Sequence, residues 1–187
     1  MERVSLDDRR VIERQLGREP RGAFSVAVRC PHGHPQVLRV APLVDGRPFP
    51  TLYWLSCPFL GRAVGSLESQ GWVGRLERRV ADDPELRLAL SRAHEEYIAA
   101  REELLTPELR RTSAVAGQIG GLVGRGIGGI SDRRRLKCLH VHVAHALAGT
   151  NPGGEIVLEL LSARACSPKD AICSSLVGER SRSQINR

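Results

Sequence analysis

The chain predicts an α+β fold, a small antiparallel sheet in its N-terminal third packed against a helical C-terminal half. Three observations carry this reading. Segments 23–40 and 51–57 are rich in β-branched residues and roughly alternate polar with apolar side chains. From Phe59 onward apolar residues return every three or four positions. The two patterns meet at Cys57-Pro58, where proline ends a strand and suits the first turn of a helix. Together they imply one domain over 1–163, a glycine-rich mobile loop at about 106–130, and a flexible tail over 164–187.

The elements follow in order. Ser5 caps a helix over Leu6–Leu16, with Asp7 and Asp8 at its positive end and Gly17 as its stop. Ala23 to Cys30 reads as a strand, Pro31-His32-Gly33-His34-Pro35 as a turn, and Gln36 to Val40 as the returning strand. Thr51 to Cys57 makes a third. Helices are predicted over Phe59–Gln70, Trp72–Ala81 and, opened by Asp83-Pro84, through Leu105. Thr106 to Ile130 is a loop, because its many glycines destabilise helix and strand alike. A strong helix over Asp132–Leu147 and a short one near Glu155–Ala163 complete the pattern.

Composition narrows the function classes. At 187 residues with 41% hydrophobic content, the chain can bury a core, but aromatics at 4% leave that core to Leu, Val, Ile and Ala. No apolar run approaches the roughly 20 residues of a membrane helix, so no membrane insertion is expected. The first residues lack the apolar stretch of a secretory signal, so the expected compartment is the cytoplasm. The net charge of +7 invites a nucleic-acid reading. However, only Lys137 and Lys169 are lysines, and acidic residues are interspersed with the arginines through the middle of the chain. That is the signature of a GC-rich genome, so nucleic acid is not the expected partner.

The chemistry-bearing residues are cysteines and histidines. Cysteines stand at 30, 57, 138, 166 and 173, and a reducing compartment argues against a disulfide framework. On a helix, Cys138, His142 and His145 share one face within about 60°, opposite the stripe of Leu136, Leu139, Val143, Ala146 and Leu147, while His140 flanks that stripe. A thiolate and imidazoles one turn apart can converge on one ion. Cys30 and Cys57 end predicted strands, where they can deliver thiols toward that helix. The candidate metal ligands are therefore Cys30, Cys57, Cys138, His145, His142 and His140. Zinc is the natural occupant of such a set and an iron–sulfur cluster the second choice. No Cys-x-x-Cys pair exists, and thiol chemistry or plain burial stay open. The glycine run lacks the Lys-Ser or Lys-Thr of a phosphate loop, and no nucleophile elbow or His-Glu-x-x-His pair occurs.

Gly17-Arg18-Glu19-Pro20-Arg21-Gly22, Arg29-Cys30-Pro31-His32-Gly33-His34-Pro35, Pro48 to Pro58, Lys137-Cys138-Leu139-His140 and Asn151-Pro152 resemble the bacterial domain-of-unknown-function family 501. The likeness spans about Leu16 to Leu161. It implies an actinobacterial-type cytosolic protein, with a neighbourhood that points toward cell division or envelope growth and no attached activity. It marks Cys30, Cys57, Cys138, His140 and His145 as motif positions. The expected function is a metal-stabilised binding or structural module acting through protein contacts. A metal- or thiol-dependent enzyme is the alternative, and arginine-mediated nucleic-acid binding the second. Four protein ligands would favour the structural role, three plus an open position catalysis.

Overall fold

A computed structural model describes residues 4–111, 119–170 and 173–174. Ser5 Oγ accepts the Asp8 amide at 3.0 Å to start α1 (Leu6–Leu16), and Gly17, at φ 68°, ends it. β1 (Phe24–Arg29) and β2 (Pro35–Val40) form an antiparallel pair, with Phe24 opposite Val40 and Val26 opposite Leu38. A two-residue pair, β3 (Leu43–Val44) and β4 (Arg47–Pro48), leads to β5 (Tyr53–Leu55). β5 lies antiparallel against the other edge of β2, giving the order β1-β2-β5. The sheet and the helices that follow confirm the α+β architecture.

β2 is central and buried on both faces. Leu38 and Val40 point toward Ile12 of α1, whereas Val37 points into the main core with Leu55. That main core is built by α2 (Pro58–Ser69), α3 (Trp72–Asp82), α4 (Pro84–Glu102), α6 (Leu139–Ala148) and α7 (Pro152–Leu161); α5 is the short Pro107–Arg111. Each fully buried Leu or Val here contributes about 1.5–3 kcal/mol. Asp83 Oδ1 accepts the amides of Glu85 and Leu86 to cap α4, and Asn151 Oδ1 accepts the Gly154 amide to cap α7. Proline follows each cap, as predicted for Asp83-Pro84, while α7 opens at Asn151-Pro152, earlier than the expected start near Glu155.

Two elements differ from expectation. The helix predicted from Asp132 begins only at Leu139, with Cys138 as its extended N-cap at φ −163°. Carboxylates from other helices hold the preceding backbone: Glu77 accepts the Leu136 amide at 2.9 Å and Glu68 the Leu139 amide at 2.5 Å. The glycine-rich stretch also buries more than its composition suggests. Residues 112–118 lie outside the described residues, but Ile119, Leu122 and Ile127 are buried. Arg101, itself buried, donates to the carbonyls of Pro50, Leu122 and Arg125 and ties this stretch to α4. Gly126 fits because a Cβ there would lie 2.4 Å from His94 Nδ1. Of the expected tail, residues 164–170 and 173–174 fold back onto the β1–β2 turn, and 171–172 and 175–187 lie outside the described residues. Among the described residues no helix is long and apolar enough to cross a membrane.

Candidate metal centre

The six residues expected to share one ion go to three places. Among the described residues, the one set of three metal-donor side chains whose donor atoms lie within 4.8 Å of one another is Glu68, Cys138 and His140. Only two of these come from the expected set.

Glu68 sits in the last turn of α2, and Cys138 and His140 at the start of α6, so the site is a joint between two helices. Glu68 Oε1 lies 3.1 Å from His140 Nδ1 and also accepts the Leu139 amide. His140 Nε2 lies 3.1 Å from the carbonyl of Gly61, about two turns of α2 further back. A carbonyl only accepts, so Nε2 carries the hydrogen. The Nδ1 of the neutral ring then presents a lone pair to a carboxylate oxygen. Two such acceptor atoms at this distance are compatible when a hydrogen or a metal ion lies between them. An N–H bond from the remote ring nitrogen to a backbone carbonyl is also how metal-bound histidines are oriented.

The Cys138 thiol completes the set from the N-cap position. Burial pushes its pKa up, the amides of Val141 and His140 pull it down, and the nearby Glu68 carboxylate pushes it up again. Without a cation it is a protonated thiol; a divalent ion beside it would favour the thiolate. Cys138 and His140 also line a cleft of about 190 Å³ with Phe49, Thr51, Tyr53, Trp54, Leu55 and Val141. All three donors are half-buried, and the rings of Phe49, Tyr53 and Trp54 line the cleft beside Cys138 and His140.

His142 and His145 lie elsewhere, because α6 starts later than expected and is enclosed on all sides. His142 Nδ1 lies 3.3 Å from Asn151 Oδ1, and Asn151 Nδ2 donates to His145 Nδ1 at 3.1 Å. His145 stacks on Tyr53 with ring centroids 5.5 Å apart. His94 of α4 approaches His142 edge-on, and its Nδ1 accepts the Ile127 amide at 3.0 Å. Burial holds all three far below the usual histidine value: His142 at about 3, His94 and His145 at about 4. They are neutral core groups. The Nε2 atoms of His94 and His142 are buried without a hydrogen-bond partner.

Cys30 and Cys57 lie at the end of the sheet near the β1–β2 turn. The thiols that act electrostatically on Cys57 are Cys166 and Cys173, not Cys138. Sequence reasoning passed over Glu68 because acidic residues on amphipathic helices usually only meet solvent. It passed over His94 because a lone histidine on a long helix carries no spacing signal. Asn151-Pro152 was visible as a motif, but its role as the partner of two histidines was not.

No curated protein and no solved structure matches the chain. A family model described as protein of unknown function (DUF501) matches residues 26–159, a span that runs from within β1 to within α7 and holds every residue of the Glu68–Cys138–His140 set. The chain belongs to that family.

Proposed function

We propose that this chain is a metal-binding module in which Glu68, Cys138 and His140 hold one zinc-class ion at the junction of α2 and α6. The observation that carries the reading is the approach of three donors of different chemistry to within 4.8 Å, with His140 Nε2 turned to the Gly61 carbonyl. A carboxylate, a thiolate and an imidazole suit zinc better than harder or softer ions. The ion would join the end of one helix to the start of another, which supports a role in holding the fold. Cytoplasmic residence and action through protein contacts belong to this same proposal, as does the proposed link to cell division.

A second reading rests on the number of donors. Three protein ligands leave a tetrahedral ion one open position, and the cleft lined by Tyr53 and Trp54 adjoins Cys138 and His140. That arrangement favours a small-molecule ligand or a catalytic water at the ion. The test begins with protein purified without a histidine tag from zinc-replete cells. Glu68→Gln keeps an acceptor for the Leu139 amide and His140→Ala removes one ligand. Each variant is expected to lose one equivalent of bound metal while remaining folded. A metal content unchanged in both variants sinks the proposal, as does folded wild-type protein carrying no metal.

A further inference from the structure

Four of the five cysteines gather at one end of the sheet, away from the centre just described. Cys30 closes β1, and its carbonyl accepts the Gly33 amide at 2.8 Å to form the tight Cys30-Pro31-His32-Gly33 turn. Cys57 is the N-cap of α2 and buried, and its amide reaches the Gln36 carbonyl at 3.3 Å, placing it beside the start of β2. The segment after α7 then crosses this end. Gln36 Nε2 donates to the Arg164 carbonyl at 2.6 Å, His32 Nε2 lies 3.0 Å from the Cys166 carbonyl, and His34 Nε2 lies 3.2 Å from Ser174 Oγ. These contacts bring Cys166 and Cys173 to the same place. Cys173 is buried, and Gln15 Nε2 donates to its sulfur at 3.2 Å while also donating to the Pro35 carbonyl at 2.8 Å.

We propose that Cys30, Cys57, Cys166 and Cys173 form a second, tetrathiolate site for a thiophilic divalent ion, zinc, which clamps the segment after α7 onto the β1–β2 turn. The electrostatics agree. Burial raises the thiols of Cys57 and Cys173, and neighbouring cysteines raise them further. The amides of Leu60 and Phe59 pull Cys57 the other way, as does the Gln15 N–H for Cys173. N–H groups aimed at crowded sulfurs are what thiolates around a dication need. No three of these sulfurs lie within 4.8 Å of one another, whereas zinc–sulfur bonds of about 2.3 Å require closer packing. Closure on an ion therefore requires the cysteine side chains to turn toward one another, each rotamer change moving a sulfur by roughly 3 Å. Binding exchanges four thiol protons for the metal, releasing them to solvent.

The site stands apart from the Glu68 centre, so the two are separated by variant. Cobalt replaces zinc in the full-length chain, and bound metal is counted by native mass spectrometry. Wild type is expected to bind two ions, and Glu68→Gln to keep one, with the sulfur-to-cobalt charge-transfer intensity of four thiolates. Cys166→Ala and Cys173→Ala are each expected to bind one ion with the weaker band of a single thiolate. A Glu68→Gln protein that binds no cobalt overturns the proposal. So does a wild-type metal count unchanged in both cysteine variants, or recovery of Cys166 and Cys173 as a disulfide from metal-loaded protein.

Discussion

Asn151 does three things with one side chain: its Oδ1 accepts from Gly154 and His142, and its Nδ2 donates to His145. Asn151→Ala removes the cap of α7 and strands two buried imidazoles. The cap is worth about 1 kcal/mol and each of the two buried unpaired groups about 1–3 kcal/mol, so a loss of about 3–7 kcal/mol is expected in urea unfolding. Acid should act on the same cluster. His94 and His145 are neutral in the fold down to about pH 4, while the unfolded chain takes up protons below about pH 6.5. Their contribution is therefore fully present above pH 6.5 and lost as pH falls toward 4. Each proton taken up gives a slope of about 1.4 kcal/mol per pH unit. Asp8, whose hydrogen bond from Arg29 lowers its pKa, adds its own loss only below that window. In His94→Asn the new Oδ1 takes over the Ile127 amide, and stability measured from pH 7 to 4 should fall less steeply than in wild type. An unchanged slope would show that His94 takes up its proton in the fold as readily as in the unfolded chain.

Gly154 decides how α6 and α7 meet. A Cβ there would lie 2.1 Å from the His142 carbonyl oxygen and 2.6 Å from Ala146 Cβ, neither of which can turn aside. Gly154→Ala must separate the two helices, and overpacking of this kind costs about 1–3 kcal/mol or more. A melting temperature equal to wild type would show that the helices are free to part. The starts of α1 and α4 were legible in the sequence because a capping signal is local, whereas α7, expected near Glu155, opens earlier at Asn151-Pro152. The start of α6 was not legible either. Leu136 and Leu139 keep helical spacing, and both are buried, yet the backbone between them is extended at Cys138. Its amides are claimed by Glu77 and Glu68, residues some sixty to seventy positions away. The candidate site depends on that same long-range choice: Cys138 and His140 were readable as a motif, but Glu68 joins them only through the packing of α2 against α6.

Across the molecule part of the positive charge is paired with carboxylates. Arg29 meets Asp8 at 2.6 Å, Arg135 meets Glu77 at 3.0 Å, Arg133 meets Glu95 at 3.6 Å, and Arg164 pairs with Glu155. An arginine held by a carboxylate is less available to a phosphate. Binding to random duplex DNA should therefore be weak and disappear by about 150 mM salt, since few phosphates are neutralised together. Submicromolar affinity that persists at that salt would bring back a nucleic-acid role. At this scale the sequence placed the sheet before the helices correctly. It missed how the late segments close the fold, because glycine content says nothing of Arg101 or the carbonyls it gathers. The cysteines after α7 likewise carried no spacing that tied them to Cys30 and Cys57.

The hydrogen bonds around Asn151 also fix where each buried ring keeps its single proton. The Gly154 amide requires Asn151 to present oxygen on its side, so His142 donates from Nδ1 and His145 accepts at Nδ1. His94 accepts at Nδ1 from Ile127 in the same way as His145. Two of the three imidazoles are thus Nε2–H tautomers and His142 alone is the Nδ1–H form. In a nitrogen-15 spectrum of the native protein, His142 should show the inverted pair of ring shifts. Its Nδ1 proton, enclosed between α6 and α7, should exchange with solvent slowly enough to be seen directly, a reporter of whether those two helices stay together in variants of either proposed metal site.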